Sequence, residues 1–305
     1  MRHIADGLTY LKLAAVTMIW GGTFVAGRYL ADQVHPLLAA TLRFTLASAA
    51  LLLFMAVTRT PLVRPSRRQW GQLVVLGFFG IFFYNLCFFY GLQYINASRA
   101  SLIVALNPAV IGLASWWLFK ERLGRIKCIG IALCLAGAAT VIISRNPQAL
   151  QGATWAGDLL ILGCVAGWGV YTLFSRGLNQ SLGPLQTVTW SVLLGTLMLS
   201  VTALGSPSVT VAGLHAIDLP QLLSLMYLGV MGSALAYIGY YDGIRRIGAT
   251  RSGVFIALNP LTAVICGTVL LDEPLTMPML LGGAIILLGI YLCNKPLARG
   301  RAMGI

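Results

Sequence analysis

The chain has 305 residues, of which 58% are hydrophobic and only 10% charged, with a net charge of +13. A soluble domain of this size carries about a quarter charged residues, so the composition excludes a water-soluble enzyme or binding module and indicates an integral membrane protein. The Lys and Arg residues do not build one basic surface but fall in short gaps between apolar runs, which argues against a nucleic-acid partner and fits basic cytoplasmic loops.

A helix needs about 20 apolar residues to cross the hydrocarbon core. By that measure ten spans are predicted, beginning near Thr9, Pro36, Arg68, Ala97, Gly124, Thr154, Pro184, Leu219, Ala249 and Thr276. The first follows Arg2 and Lys12 as a secretory leader would, but it runs on through Trp20-Gly21-Gly22 with no cleavage-like end and reads as a transmembrane helix. Trp20 lies at mid-depth, where an indole N–H needs a neighbouring helix or a cavity.

The second span carries Arg43, about 11 Å along the helix from Pro36 at the usual rise per residue. It is expected to tie to loop carbonyls at the outer surface, with a carboxylate-bearing substrate as the sharper alternative. After the basic stretch RTPLVRPSRRQ, the third span, FFGIFFYNLCFFYGL, places Tyr84 and Asn85 at a depth where polar groups face protein or water; its phenylalanines read as packing.

The fourth span is interrupted by Asn107-Pro108. Proline donates no backbone hydrogen bond, so the carbonyl of Val104 should lose its helical partner, a loss tolerated in a membrane only beside protein or a wet cavity. Asn107 is expected to cap that break, to meet substrate, or both. The fifth span is featureless. The sixth brings Trp168 and then Tyr171, and the seventh ends in the loop GSPSVTVAGLHAIDLPQ. In the eighth, Ser233, Tyr237 and Tyr241 share one face, and Asp242 sits beside Arg245 and Arg246, where an ion pair is expected. The ninth repeats the interruption as Asn259-Pro260, and the tenth is again featureless.

The fourth and ninth spans expose a duplication. Ala105-Leu106-Asn107-Pro108 recurs letter for letter as Ala257-Leu258-Asn259-Pro260, 152 residues later. Gly91, Ala97, Arg99, Gly130 and Gly137 recur at the same offset, and Trp20, Arg28 and Pro36 recur at 148 as Trp168, Arg176 and Pro184. Residues 1–148 and 152–305 are therefore expected to be two repeats of five spans. An odd number makes them inverted, with substrate bound near the midplane between them. With both termini in the cytoplasm, 17 of the 21 Lys and Arg residues fall inside, all but Arg28, Arg43, Arg99 and Arg145.

The six cysteines lie in apolar runs without a C-x-x-C, and the three histidines lie near span ends or in loops, so neither a metal nor another cofactor is expected. No nucleotide-binding G-x-x-x-x-G-K-[ST] occurs.

Ten spans in inverted halves, the early Trp-Gly-Gly and the proline-centred fourth and ninth helices resemble the drug/metabolite transporter superfamily. Within it the chain resembles the EamA-type exporters, and in general pattern the YddG-type aromatic amino acid exporters among them. The resemblance covers nearly the whole chain. It implies an all-α membrane fold in which helices one, three, four, six, eight and nine surround a cavity while the fifth and tenth stand outside. It also implies outward transport of a small amphipathic metabolite, amino acids foremost, across the plasma membrane.

The expected substrate contacts are Trp20, Tyr84, Asn85, Asn107, Trp168, Tyr171, Tyr237 and Asn259, with Pro108 and Pro260 as hinges. Partners are then a small-molecule substrate and the lipid bilayer; a homodimer is compatible, but a monomer suffices. The alternatives are an intramembrane lipid-processing enzyme, for which no nucleophile or acid–base pair stands at membrane depth, and a channel or structural membrane protein.

Overall fold

A computed structural model describes residues 2–95, 97–120, 124–145, 155–262 and 276–294, with side chains from residue 7 onward except at 98 and 145. The chain is all-helical. In order come α1 (Arg2–Ala31), α2 (Pro36–Val57) and α3, which runs Arg67–Leu76, Gly77–Phe83 and Tyr84–Tyr94. Then follow α4 in two pieces (Ala97–Val104 and Asn107–Phe119), α5 (Arg125–Arg145), α6 (Trp155–Ser181) and α7 (Pro184–Leu204). The last are α8 (Leu219–Met226, Tyr227–Leu235, Ala236–Ile247), the start of α9 (Ala249–Gly253, Val254–Leu258) and α10 (Met277–Asn294).

Among the described residues nine helices are long and apolar enough to cross a membrane. The remainder of the ninth predicted span, with Cys266 and the Asp272-Glu273 turn, lies outside the described residues, as does Glu121.

Local chemistry sets the helix ends, and does so twice. Pro36 and Pro184 open α2 and α7, where the missing N–H would have had no partner in any case. Ser66 with Gln69 and Asp218 with Gln221 form capping boxes at the starts of α3 and α8, again 152 residues apart. Both helices then loosen into a π-helical stretch, at Gly77–Phe83 and Tyr227–Leu235. Neither stretch is signalled in the sequence, because a π turn leaves no mark in hydrophobic periodicity.

Packing shows the inversion directly. A side chain on Gly130 of α5 would come within 2.8 Å of the carbonyl of Gly289 in α10, and one on Gly137 within 2.6 Å of that of Gly282. As the number rises on one helix it falls on the other, so α5 and α10 run antiparallel. Yet Gly130 corresponds to Gly282, and Gly137 to Gly289, in the duplication. Equivalent helices of opposite direction mean inverted halves, and the self-matching contacts place the pair on a two-fold axis. On the same principle Ser48 Oγ of α2 meets its own counterpart, Thr196 Oγ1 of α7, at 2.9 Å.

The π stretches bring the layers together. A side chain on Gly77 would come within 3.0 Å of the Ser191 carbonyl of α7, and one on Gly229 within 2.6 Å of the Arg43 carbonyl of α2, so only glycine fits at either place. These are one crossing made twice, which lays α3 on α7 and α8 on α2. The core of the molecule lies between them.

Candidate functional site

A cavity opens at the centre of this arrangement. Trp20, Thr23 and Phe24 of α1, Arg43 of α2, Tyr84 and Phe88 of α3, and Val104 and Asn107 of α4 line it. Trp168 of α6, Tyr237 of α8, and Ile256 and Asn259 of α9 complete it. It holds about 30 Å³, room for one or a few waters but well below the several hundred Å³ of sites that enclose small organic ligands. Among the described residues neither α5 nor α10 contributes to the lining.

The indoles of the two repeats meet here, Trp20 edge-on to Trp168 with ring centres 5.0 Å apart. Tyr237 stands 5.3 Å from Trp168, and Tyr84 5.8 Å. The two tryptophans are not chemically equivalent. Trp20 Nε1 donates to the Gly232 carbonyl at 2.8 Å. Trp168 Nε1 is buried without a hydrogen bond, and although the Tyr240 hydroxyl is close, its geometry completes none.

The proline breaks resolve differently in the two halves. Ahead of Pro108, α4 turns at Ala105 and Leu106, and the Asn107 side-chain amide donates to the freed Val104 carbonyl at 3.0 Å. That bond fixes the amide's orientation and leaves Asn107 Oδ1 buried and unpaired on the cavity wall. Ahead of Pro260, α9 tightens into a 3₁₀ turn, and the backbone N–H of Asn259 reaches the Ile256 carbonyl. The Asn259 amide is thereby released from capping, and its oxygen too is buried and unpaired.

Arg43 does not stand where its place along α2 predicts. Instead of reaching loop carbonyls, its guanidinium is buried, with Nε donating to Ser233 Oγ at 3.0 Å and Nη1 to Asn85 Oδ1 at 3.1 Å. The cause is the seating of α2 on α8 at Gly229, which turns this face of the helix inward.

Asn85 itself stands one layer behind the lining, held by its amide N–H to the Ile81 carbonyl at 2.7 Å. Tyr171 is also set back. It packs beside Trp168 and over Gly80, with its hydroxyl 3.0 Å from Ser191 Oγ. Six of the eight expected contacts, Trp20, Tyr84, Asn107, Trp168, Tyr237 and Asn259, therefore share one wall. Thr23, Phe24 and Phe88 join them unannounced, because an aromatic or small residue in an apolar run carries no sign of which way it faces.

Ion pairs lie at the helix ends. Arg99 of α4 forks onto both carboxylate oxygens of Asp158 in α6 at 2.7 Å. Asp242 pairs with Arg245 and Arg246 as expected, and also with Lys12 of α1 at 2.6 Å, tying the first helix to the eighth. Among the described residues no group of three His, Cys, Asp or Glu side chains could hold a metal ion.

The model of the EamA-like transporter family matches residues 7–143 and again 155–295, one match to each half. The chain is 27% identical to the uncharacterized transporter YetK of Bacillus subtilis, covering 92% of this chain and 85% of that one. It is 27% identical to an uncharacterized transporter of Archaeoglobus fulgidus, covering 93% and 97%. A solved crystal structure, 22% identical, superposes with a TM-score of 0.74 over 94% of this chain and 97% of the other, a likeness of fold. With nearly its whole length matched in two copies, this multi-pass membrane protein belongs to the EamA-like transporter family, whose members are transporters rather than enzymes.

Proposed function

We propose that the chain is a secondary carrier that exports small amphipathic metabolites, amino acids including aromatic ones foremost, by alternating access across the plasma membrane. The observation that carries this reading is the central cavity, where both proline-broken helices meet an aromatic and polar wall drawn from both halves. Aromatic faces suit an apolar body, and the unpaired oxygens of Asn107 and Asn259 suit an amine or hydroxyl. The cavity is too small for such a molecule, so binding requires the halves to part, which is how a carrier differs from an open pore. Outward direction and the likeness to aromatic amino acid exporters come from resemblance. Cytoplasmic termini follow from the bias of basic residues toward one side. Because the two-fold axis lies inside the chain, a monomer suffices.

The test is counterflow in proteoliposomes loaded with amino acids, nucleosides or sugar phosphates. Alanine at Trp20, Tyr84, Trp168 or Tyr237 is expected to reduce flux per folded molecule by about tenfold or more, the loss of one well-packed aromatic contact. Matched changes on α5 and α10 should leave it within about twofold. Equal behaviour of the two sets would remove the cavity from the transport path.

A further inference from the structure

Arg43 is a buried cation that no acid among the described residues answers. The other charged exceptions outside the basic loops whose side chains are described, Arg28 and Arg99, are paired with Asp32 and Asp158. Among the described residues no carboxylate touches Arg43; its hydrogen-bond partners are the Ser233 hydroxyl and the Asn85 amide, the rings of Phe44 and Phe88 lie at 5.3 and 5.7 Å, and Tyr84 and Tyr237 share the cavity with it. Those two hydrogen bonds leave donors on Nη1 and Nη2 without a partner. Burying a cation without its counter-charge is strongly unfavourable.

The duplication shows that the fold does not demand it. Arg43 corresponds to Ser191, and each carbonyl receives the equivalent glycine of α8 or α3. Asn85 corresponds to Tyr237, and Ser233 to Ile81. The equivalent crossing, of α3 on α7, is thus built without the cation or its two polar holders. Three positions have diverged around one charge, and that charge lines the cavity.

We propose that Arg43 is the carboxylate-binding group of this carrier. Ser233 takes the Nε–H and Asn85 one N–H of Nη1, and the Nη1–Nη2 end of the guanidinium receives both oxygens of a substrate carboxylate, a fork in which arginine binds such groups strongly. The proposal rests on the carrier reading and narrows it: substrates carry a carboxylate, and neutral amphiphiles such as nucleosides fall outside. For an α-amino acid, the unpaired Asn107 oxygen then lies on the same wall to receive the ammonium group.

The experiment is equilibrium dialysis of the full chain in lipid nanodiscs with radiolabelled phenylalanine, phenylalaninamide and phenylacetate. The wild type should bind phenylalanine at least about tenfold more tightly than the amide, the worth of hydrogen bonds to a charged group. Phenylacetate should also be retained. Arg43→Gln should erase the preference for acid over amide, and Arg43→Lys should keep part of it. The comparison within the wild type needs no variant, so a substitution that fails to fold does not shield the proposal.

Equal binding of acid and amide, or binding of none of the three, overturns it. Retention of labelled chloride that depends on Arg43, without acid preference, overturns it in favour of an inorganic anion. Counterflow on the same preparation separates the two readings. Flux without acid preference sinks the role of Arg43 alone, whereas acid preference without flux sinks the carrier and leaves a carboxylate-binding site.

Discussion

The two tryptophans show why equivalent residues need not do equivalent work. Trp20 spends its N–H on the Gly232 carbonyl and thereby couples α1 to the π stretch of α8. Trp168, its counterpart, makes no such bond. Both Trp→Phe changes lose the same buried ring volume, and Trp20→Phe is expected to destabilise the protein by about 1 kcal/mol more than Trp168→Phe through the lost hydrogen bond. Thermal unfolding in detergent, followed by intrinsic fluorescence, measures the difference; equal losses would mean that the Gly232 bond contributes nothing. Both variants keep an aromatic ring on the wall and lose the same part of the indole, so the difference between their effects on flux reports on the Gly232 hydrogen bond.

At the scale of the helix, the two breaks stand at the same place by different means. In α4 a side chain covers the carbonyl that Pro108 leaves open, and in α9 the backbone tightens to cover the one left by Pro260. Replacing either proline by alanine restores an N–H that competes for that carbonyl, favouring a continuous helix. We expect Pro108→Ala to slow exchange more than Pro260→Ala, because in α4 the restored bond also releases the Asn107 amide that holds the bend. Substrate binding should persist in both. Stopped-flow counterflow beside equilibrium binding separates these effects, and unchanged exchange in the single and double variants would take the hinge out of the mechanism.

For the whole molecule, the distribution of acids bears on how transport is driven. Proton-coupled carriers commonly relay protons through Asp, Glu or His within the membrane. Among the described residues no carboxylate lines the cavity, and the Asp242 side chain is occupied by Lys12, Arg245 and Arg246. Transport is therefore expected to run down the substrate gradient without obligatory proton exchange. An imposed pH gradient, with the potential clamped and no substrate gradient, should produce no accumulation in proteoliposomes. Accumulation abolished by a protonophore would overturn this, and its loss in Asp242→Asn would name the carboxylate responsible.

Orientation is a second property of the whole molecule. Cysteine at Ser208, in the exposed loop between α7 and α8 and with the native cysteines replaced, should react with an impermeant reagent from outside the cell. Labelling from the cytoplasm alone would reverse the assignment.

The sequence by itself determined the class, the duplication and most of the wall. Each is encoded locally or by identity between copies. Length and apolarity define a span; Asn107-Pro108 and Asn259-Pro260 mark where a backbone cannot stay helical; and two matching halves of five spans must be inverted. Polar or aromatic residues at mid-depth, such as Trp20, Tyr84 and Tyr237, were legible because lipid gives them nowhere else to go.

Only the tertiary structure decided which way each helix turns. The seating of Gly229 on the Arg43 carbonyl rotates that arginine inward, and the close fit over Gly80 draws Tyr171 away from the cavity into a bond with Ser191. A residue's depth follows from counting along one helix, but its direction depends on which neighbour approaches closely enough to claim a face, and that contact joins residues far apart in the chain.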